Sequence, residues 1–287
     1  MQILKDFSNL IKFRVNIIVV ISSIFGYLIG AEGTNIYFPQ IIGLSLGGFF
    51  TTGAAHAINQ IYERKFDGLM QRTMNRPLPT GRMTKREVIV YAVLMTSLGA
   101  FFFAYFNNRL TLVIGMASLF LYSFLYTPLK RKSPVAVLVG AIPGALPPSI
   151  GYIAASGQID NLALILFTFQ FVWQFPHFWS IAWIYNDEYT KAGYDLLPTK
   201  NGRTNRNAFL TFISSLTLIP SVLLFYIFGF INIFILITIF IFTFWFIFKA
   251  YSFYTNQNMS LAKKMMYSSI IYLPIVQLIF VFAFWNR

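Results

Sequence analysis

The stretch QIIGLSLGGFFTTGAAHAINQIYERKFD (residues 40–67) joins a long uncharged run to a dense group of charges. Residues 40–59 contain no Asp, Glu, Lys or Arg. A transmembrane helix needs about 20 predominantly apolar residues, so this run is predicted to cross a membrane. The charged residues that follow, beginning with Glu63, would then lie where the chain leaves the bilayer.

The composition extends this prediction to the whole chain. Hydrophobic residues make up 57% of it and charged residues only 11%, whereas a soluble domain carries roughly 25% charged residues. Nine apolar runs are long enough to span, near residues 15–30, 40–59, 88–105, 111–126, 135–155, 162–185, 209–228, 231–248 and 266–285. We expect an all-α polytopic membrane bundle of about nine transmembrane helices. Residues 1–287 are predicted to form a single membrane domain, in which residues 1–14 are an interfacial segment.

The basic residues indicate the orientation. All of the 22 Lys and Arg residues except Arg109 and Arg287 fall on one side of the predicted spans. The positive-inside rule places that side in the cytoplasm, with the N-terminus inside. The net charge of +13 is thus explained by topology, and no nucleic-acid partner is expected. Cysteine is absent, which excludes disulfides and thiolate sites.

Two long connections on the predicted cytoplasmic side, residues 59–87 and 185–208, hold or adjoin six of the nine acidic residues. Long loops in a compact fold tend to carry function. If the helix continues past Asn59, steps of four residues keep Asn59, Glu63 and Asp67 on one stripe. Such carboxylates can hold Mg²⁺, and guanidinium groups such as those of Arg72 and Arg76 bind phosphate. The alternative is a solvated loop of mixed charges.

Two further segments carry candidate residues. In FQFVWQFPHFWSIAWIYNDEYTKAGYDLLP (residues 169–198), helical spacing places Trp173, Gln174 and His177 on one face. Polar groups inside a span usually face an interior or a site, so His177 is either a ligand contact or a hydrogen-bonded packing residue. In LYTPLKRKSPVAVLVGAIPGALPPSIGYIAASG (residues 125–157), the basic residues at 130–132 fit topology anchors. The prolines at 143, 147 and 148 are predicted to break the fifth span.

Together these patches resemble the UbiA superfamily of intramembrane prenyltransferases. The superfamily pattern of Asn followed by acids four and eight residues later is present as Asn59, Glu63 and Asp67. The stretches RTMNRPLPTGR (72–82), YTPLKR (126–131), GALPPSIGY (144–152), WQFPHFW (173–179) and AGYDLLP (192–198) are similar to the branch that acts on protoheme IX. The second superfamily motif is commonly D-x-x-x-D, whereas this chain has only the adjacent Asp187 and Glu188 near its place.

The resemblance implies transfer of a farnesyl or longer prenyl group from a prenyl diphosphate to a vinyl group of protoheme IX (haem B). The product would carry the hydroxyethyl-farnesyl side chain of haem O. It implies Mg²⁺ as cofactor, a site on the cytoplasmic side of the cell membrane, and a downstream haem A synthase or terminal oxidase assembly as a further partner. The implied site residues are Asn59, Glu63 and Asp67 as catalytic, Arg72, Arg76, Lys130 and Arg131 for diphosphate, Trp173, Gln174 and His177 for haem, and Glu63, Asp67, Asp187 and Glu188 for metal.

Three other functions compete with this one. Another UbiA-type enzyme could act on a quinone precursor or a chlorophyllide-like ring. A secondary transporter also has broken helices and polar groups in its spans, but it predicts ionisable residues deep in several of them. A haem-binding structural protein would explain His177, but it would assign no function to Glu63, Asp67, Arg72 and Arg76.

Overall fold

The computed structural model describes residues 2–32 and 36–285, which contain helices and connections but no strand. The helices are α1 (Gln2–Leu10), α2 (Phe13–Gly30), α3 (Phe38–Asp67), α4 (Lys85–Phe106), α5 (Arg109–Leu129), α6 (Ala136–Ser156), α7 (Asn161–Ile184), α8 (Asn186–Lys191), α9 (Asn205–Ile227), α10 (Ile233–Asn256) and α11 (Met259–Trp285). Within these residues, nine helices, all but α1 and α8, are long and apolar enough to cross a membrane. The predicted all-α bundle is confirmed.

Helix α3 determines where the acidic motif lies. It runs for 30 residues and ends at Asp67, followed by Gly68. The helix therefore continues well beyond the apolar run, as the four-residue spacing of the motif requires. Glycine has low helix propensity, and its position here matches the end of the helix. The acidic motif is thus part of a rigid spanning helix and not of a loop.

Helices α2 and α6 pack with their backbones in contact. A Cβ added at Gly26 of α2 would collide with the backbone of Pro148, and one added at Gly151 of α6 would collide with the carbonyl of Ser23. Small residues allow this close approach between membrane helices, where dispersion contacts replace the hydrophobic driving force. The packing buries more of α6 than of any other candidate span in the described residues.

The prediction that prolines break the fifth span is wrong. Helix α6 is continuous through Pro143, Pro147 and Pro148. A proline removes the hydrogen bond to the carbonyl four residues earlier, so Pro147 leaves the Pro143 carbonyl free. That carbonyl accepts a hydrogen bond from the Ser118 hydroxyl of α5 at 3.5 Å. The irregular segment is instead a π-helical turn at residues Leu121–Tyr126 of α5.

Helix α1 is attached to the connection between α3 and α4. Asp6 of α1 is buried, and its carboxylate lies 2.9 Å from the Arg82 guanidinium. Leu10 and Ile11 are fully buried against α3 and α4. Lys12 follows in the left-handed conformation, with φ of 49°, and turns the chain from α1 into α2. The interfacial segment predicted at residues 1–14 thus contains a helix and a hinge.

The close contact of α2 with α6 predicts a strong effect of a single methyl group. We expect Gly26→Ala to destabilise the protein by about 1–3 kcal/mol, because the added Cβ cannot be accommodated without moving the Pro148 backbone. Gly48→Ala is the matched control, since a Cβ there meets only Val20 at 3.9 Å. Thermal unfolding of both variants in detergent gives the comparison. Equal stability of the two variants would contradict the packing argument.

Candidate active site

The three residues of the acidic motif are buried at one end of the bundle. Asn59, Glu63 and Asp67 are 1%, 5% and 0% exposed. These fractions exclude the solvated loop that the sequence left open. Removing a charge from water costs several kcal/mol unless it is paired and hydrogen-bonded, so the surrounding protein must supply counter-charges.

Two cations from different connections supply them. The Lys130 ammonium, which follows α5, lies 3.0 Å from a Glu63 carboxylate oxygen. Arg76, in the connection between α3 and α4, lies 2.7 Å from Oδ2 of Asp67. The other oxygen of Asp67, Oδ1, is buried and has no hydrogen-bond partner among the described residues. The site therefore has two neutralised carboxylates and one carboxylate oxygen that can accept a further ligand.

Asn59 connects the motif to two other elements. Its amide nitrogen donates to the Thr127 hydroxyl at 3.2 Å, and its amide oxygen accepts from the Lys12 ammonium at 3.5 Å. Thr127 belongs to the YTPLKR stretch, which explains how that stretch comes to the site. Lys12 reaches the site from the hinge between α1 and α2.

Lys12 is a site residue that the sequence analysis missed. Burial lowers the pKa of Lys12 to about 7, and the nearby cations Arg76 and Lys130 act in the same direction while Glu63 opposes them. Lys12 was assigned only to the interfacial segment, and no local pattern marks it. Its place depends on the left-handed hinge and on the docking of α1, neither of which is visible in the spacing of residues.

The pKa of Lys130 responds to the same surroundings in the opposite direction. Burial by itself lowers this pKa, but the facing Glu63 carboxylate more than compensates, so the pKa is held well above its ordinary value. Lys130 is therefore charged throughout the physiological range. From the sequence alone, Lys130 could have been only a topology anchor. Its side chain is 12% exposed and contacts Glu63, so it is part of the site.

The second acidic segment meets the site through aromatic rings. The Lys130 ammonium lies 4.7 Å from the ring centre of Tyr194 and 5.8 Å from that of Tyr189. The Tyr189 hydroxyl accepts a hydrogen bond from Arg72 at 3.1 Å. Aromatic faces attract cations, so these two tyrosines form a wall beside Lys130. Both tyrosines lie in the stretch of residues 169–198, but neither was predicted as a site residue.

The two acids predicted as metal ligands in that segment have different partners. Asp187 pairs with Arg203 at 3.0 Å, and its side chain is 70% exposed. Glu188 accepts a hydrogen bond from the backbone amide of Arg72 at 3.2 Å. Neither carboxylate contacts Glu63 or Asp67 in the part of the chain that the structure describes. Glu188 nevertheless joins the second acidic segment to the connection that carries Arg72 and Arg76.

The remaining predicted diphosphate residues lie against aromatic rings. The Arg72 guanidinium lies 5.1 Å from the ring centre of Tyr185. Arg131 stacks over Phe66 at 3.9 Å, and Phe66 packs edge-on against Tyr194. Of the four predicted cations, only Arg76 and Lys130 contact a motif carboxylate among the described residues. Arg72 and Arg131 are placed around them.

The predicted haem residues cluster on α7 and contact α6 and α11. His177 stacks on Trp173 with ring centres 4.7 Å apart, and its Nδ1 lies 2.7 Å from the Ser269 hydroxyl of α11. The Trp173 indole donates to the Ser269 carbonyl, and Gln174 donates to the Ala141 carbonyl. In the described residues Nε2 of His177 has no hydrogen-bond partner. The histidine is thus held by packing and keeps one ring nitrogen available.

The motif carboxylates also fit a divalent cation. Mg²⁺ usually takes one or two protein carboxylates and completes its shell with water and phosphate oxygens. Glu63 and Asp67 offer two carboxylates one helical turn apart, and Oδ1 of Asp67 is unpartnered. Among the described residues no group of three or more His, Cys, Asp or Glu side chains is arranged around one point. The donor set therefore suits an ion that shares its shell with a phosphorylated substrate.

A buried imidazole, that of His56, lies just inside the motif and was not among the residues predicted from the sequence. His56, one turn before Asn59, packs edge-on against Tyr122 at 5.6 Å. Neither ring nitrogen has a hydrogen-bond partner within the described residues. Because it precedes the motif by one helical turn, it lies on the apolar side of the charged pairs.

These features define the class: a multi-pass α-helical membrane protein with a buried cluster of carboxylates and their paired cations at one end of its bundle. Residues 19–271 match the UbiA prenyltransferase family. The chain is 41% identical to the protoheme IX farnesyltransferase of Cytophaga hutchinsonii, over 95% of both chains. It is 40% identical to that of Christiangramia forsetii, over 98% of this chain and 93% of the relative.

Solved structures share the fold. A digeranylgeranylglyceryl phosphate synthase superposes with a TM-score of 0.79 at 22% identity, over 100% of both chains. A UbiA homologue from Archaeoglobus fulgidus bound to DMAPP and Mg²⁺ superposes with a TM-score of 0.71 at 16% identity, over 98% of this chain and 99% of that one. The chain belongs to the UbiA prenyltransferase family, and the resemblance inferred from its motifs is confirmed.

The low pKa of Lys12 predicts a pH dependence. The ammonium form, which can contact an anionic substrate, is lost as the pH rises through about 7. We expect kcat/KM for the prenyl diphosphate to fall up to about tenfold between pH 6 and 8. Lys12→Arg keeps its charge and should flatten the profile. Ionisation of the substrate is common to both enzymes, so the difference between their profiles isolates Lys12. Superimposable profiles would remove Lys12 from substrate binding.

Proposed function

We propose that the protein transfers a farnesyl group, or a longer prenyl group, from its diphosphate to a vinyl group of protoheme IX, which gives the side chain of haem O. The observation that carries this proposal is the buried Glu63–Lys130 and Asp67–Arg76 pairing at the end of α3. It provides both the carboxylates for a metal ion and the cations for a diphosphate. Relatives that match nearly the whole chain are named for this activity.

The cations Arg76 and Lys130 would bind oxygens of the diphosphate. Charge-assisted hydrogen bonds from guanidinium and ammonium groups to phosphate are short and strong. Lys12, Arg72 and Arg131 surround this pair and would extend the positive field. Asn59, fixed by Thr127, orients the amide oxygen that contacts Lys12. The Arg76 and Lys130 side chains are only 15% and 12% exposed, which strengthens their interactions because the local dielectric is lower than that of water.

Glu63 and Asp67 would hold Mg²⁺, which supplies, when bound, positive charge that stabilises the departing diphosphate. A UbiA homologue from Archaeoglobus fulgidus binds this ion together with a prenyl diphosphate. Of the two acids in the second segment, we propose Glu188 as the one that completes the site, since it already contacts the Arg72 backbone. Asp187 is occupied by Arg203.

The chemistry consists of one substitution and one hydration. The allylic C–O bond breaks, and its electron pair leaves with the diphosphate, which Arg76 and Lys130 stabilise. The vinyl group of the haem donates its π electrons to the allylic carbon and forms the new C–C bond. The cation left beside the porphyrin takes the oxygen of a water molecule, which releases a proton. Tyr189 and Tyr194 present ring faces that favour positive charge near the diphosphate.

His177 would contact the haem through Nε2, either at the iron or at a propionate, while Nδ1 is held by Ser269. Trp173 and Gln174 fix the helix face on which it lies. The excess of basic residues at the end of the bundle that holds the motif supports a cytoplasmic position for that end, so we propose that the reaction occurs at that surface of the cell membrane. A haem A synthase or the assembly of a terminal oxidase would then receive the product.

Incubation of the purified protein with protoheme, Mg²⁺ and prenyl diphosphates of several lengths tests the activity, with mass spectrometry of the pigment as the readout. We expect Asp67→Asn to lower the rate by about a hundredfold or more, because it removes a metal ligand and the charge that holds Arg76. Asp195→Asn, in the second connection, is the matched control. A rate in Asp67→Asn equal to that of the control would remove Asp67 from the site.

Haem titration followed by the Soret band tests the second substrate. His177→Ala should weaken haem binding and shift the absorption of the bound haem, because a nitrogen contact to the haem is lost. His56→Ala removes the other imidazole of the chain and serves as the control, with haem affinity near that of the unmodified protein. If His177→Ala binds haem with unchanged affinity and spectrum, His177 is a packing residue only.

A further inference from the structure

A groove on the outer surface of the bundle lies between α3, α4 and the π-helical turn of α5. Its volume is about 710 Å³. Apolar side chains form most of its walls, among them Ile61, Val93 and Phe124, and the last two are 59% and 46% exposed. At one end stand three basic residues, Arg64, Lys65 and Lys85.

This groove is separate from the candidate active site. At 100° per residue, Ile58, Ile61 and Lys65 lie about 140–160° around α3 from the centre of the stripe formed by Asn59, Glu63 and Asp67, and Tyr62 flanks that stripe at about 100°. The acidic stripe faces the interior and is buried, whereas Tyr62 is 48% exposed. A ligand in the groove would therefore contact the back of the helix that carries the motif.

The three cations at the end of the groove have no counter-charge in residues 2–32 and 36–285. Arg64, Lys65 and Lys85 form no ion pair or side-chain hydrogen bond among the described residues, where the ion pairs involve Arg76, Arg82, Lys130 and Arg203. They come from two different helices, the last turn of α3 and the first residue of α4. Topology accounts for their side of the membrane, but it does not require them to converge on one groove.

The dimensions of the groove fit a lipid of one leaflet. Along α4 it extends from Lys85 to Ser97, which is about 18 Å at a rise of 1.5 Å per residue. Half of a hydrocarbon core of about 30 Å is roughly 15 Å. The cations lie in the last turn of α3 and at the start of α4, where phosphate headgroups are expected beside a membrane span, and the apolar walls begin directly beyond them. Basic pockets between transmembrane helices on the cytoplasmic side bind anionic headgroups.

We propose that this groove binds one anionic phospholipid, with its phosphate against Arg64, Lys65 and Lys85 and an acyl chain along Ile61, Val93 and Phe124. The proposal rests on the charge, length and lining of the groove and does not depend on the proposed enzymatic function. The anionic headgroup neutralises three cations that have no ion-pair partner in the described part of the chain, while the acyl chain covers apolar surface between the helices.

Native mass spectrometry of the full-length protein with equimolar phosphatidylglycerol and phosphatidylcholine of identical chains tests the proposal. We expect the unmodified protein to retain one phosphatidylglycerol in preference to phosphatidylcholine. Arg64→Gln/Lys65→Gln/Lys85→Gln should lower the phosphatidylglycerol affinity at least about tenfold. Lys200→Gln/Lys263→Gln/Lys264→Gln removes the same charge from exposed positions away from the groove and should leave the affinity unchanged.

Val93→Trp fills the groove without changing the charge and should weaken the binding of both lipids, which provides an independent measurement if the triple variant folds poorly. Equal affinity of the groove variants and the control would overturn the proposal. Farnesyl diphosphate is the remaining occupant of related chemistry. If it displaces the bound phosphatidylglycerol one for one, the groove is a substrate site and the phospholipid proposal is wrong.

Discussion

The burial of two carboxylates at the end of α3 is the constraint on which the rest of the site depends. Glu63 and Asp67 lie on a helix that continues directly from a membrane span, so they cannot be left without partners. The chain meets this requirement with long-range contacts. Lys130 arrives from the end of α5 and Arg76 from the connection that follows α3. Each of these contacts fixes a segment that would otherwise be a surface loop.

The charged residues around α3 also position the acidic segment that follows α7. The segment after α7 brings Tyr189 and Tyr194 to Lys130, and Glu188 to the backbone of Arg72. Two contacts therefore join the two acidic segments. The Lys130 ammonium, paired with Glu63, lies against the rings of Tyr189 and Tyr194, and Glu188 accepts a hydrogen bond from the backbone amide of Arg72. A substrate diphosphate would enter a site in which positive charge is already held in place. In the proposed function, the carboxylates would balance that charge until a metal ion and a diphosphate bind.

Much of the fold could be predicted from the sequence because membrane spans are a local property of composition. The end of α3 at Asp67 agrees with the glycine that follows, and the four-residue spacing correctly placed Asn59, Glu63 and Asp67 on one buried stripe.

The prediction that prolines break α6 was wrong because the effect of a proline depends on its neighbours in the fold. The Ser118 hydroxyl of α5 donates to the Pro143 carbonyl, which Pro147 leaves without its helical hydrogen bond. Lys12 was missed for a similar reason. Its position depends on the packing of the preceding helix α1 against residues far along the chain, such as Arg82. No spacing rule distinguishes Asp187, which pairs with Arg203, from Glu188, which contacts the Arg72 backbone.

The central claim is that Glu63 and Asp67 hold the metal ion that a prenyl diphosphate shares. The most direct measurement is a structure of the protein with a non-hydrolysable farnesyl diphosphate analogue and Mn²⁺, located by its anomalous scattering. The account predicts one manganese peak in contact with Oδ1 of Asp67 and a Glu63 oxygen, with analogue oxygens on the ion and on Arg76 or Lys130. Manganese bound elsewhere, with the Asp67–Arg76 and Glu63–Lys130 pairs intact beside the bound analogue, would contradict it.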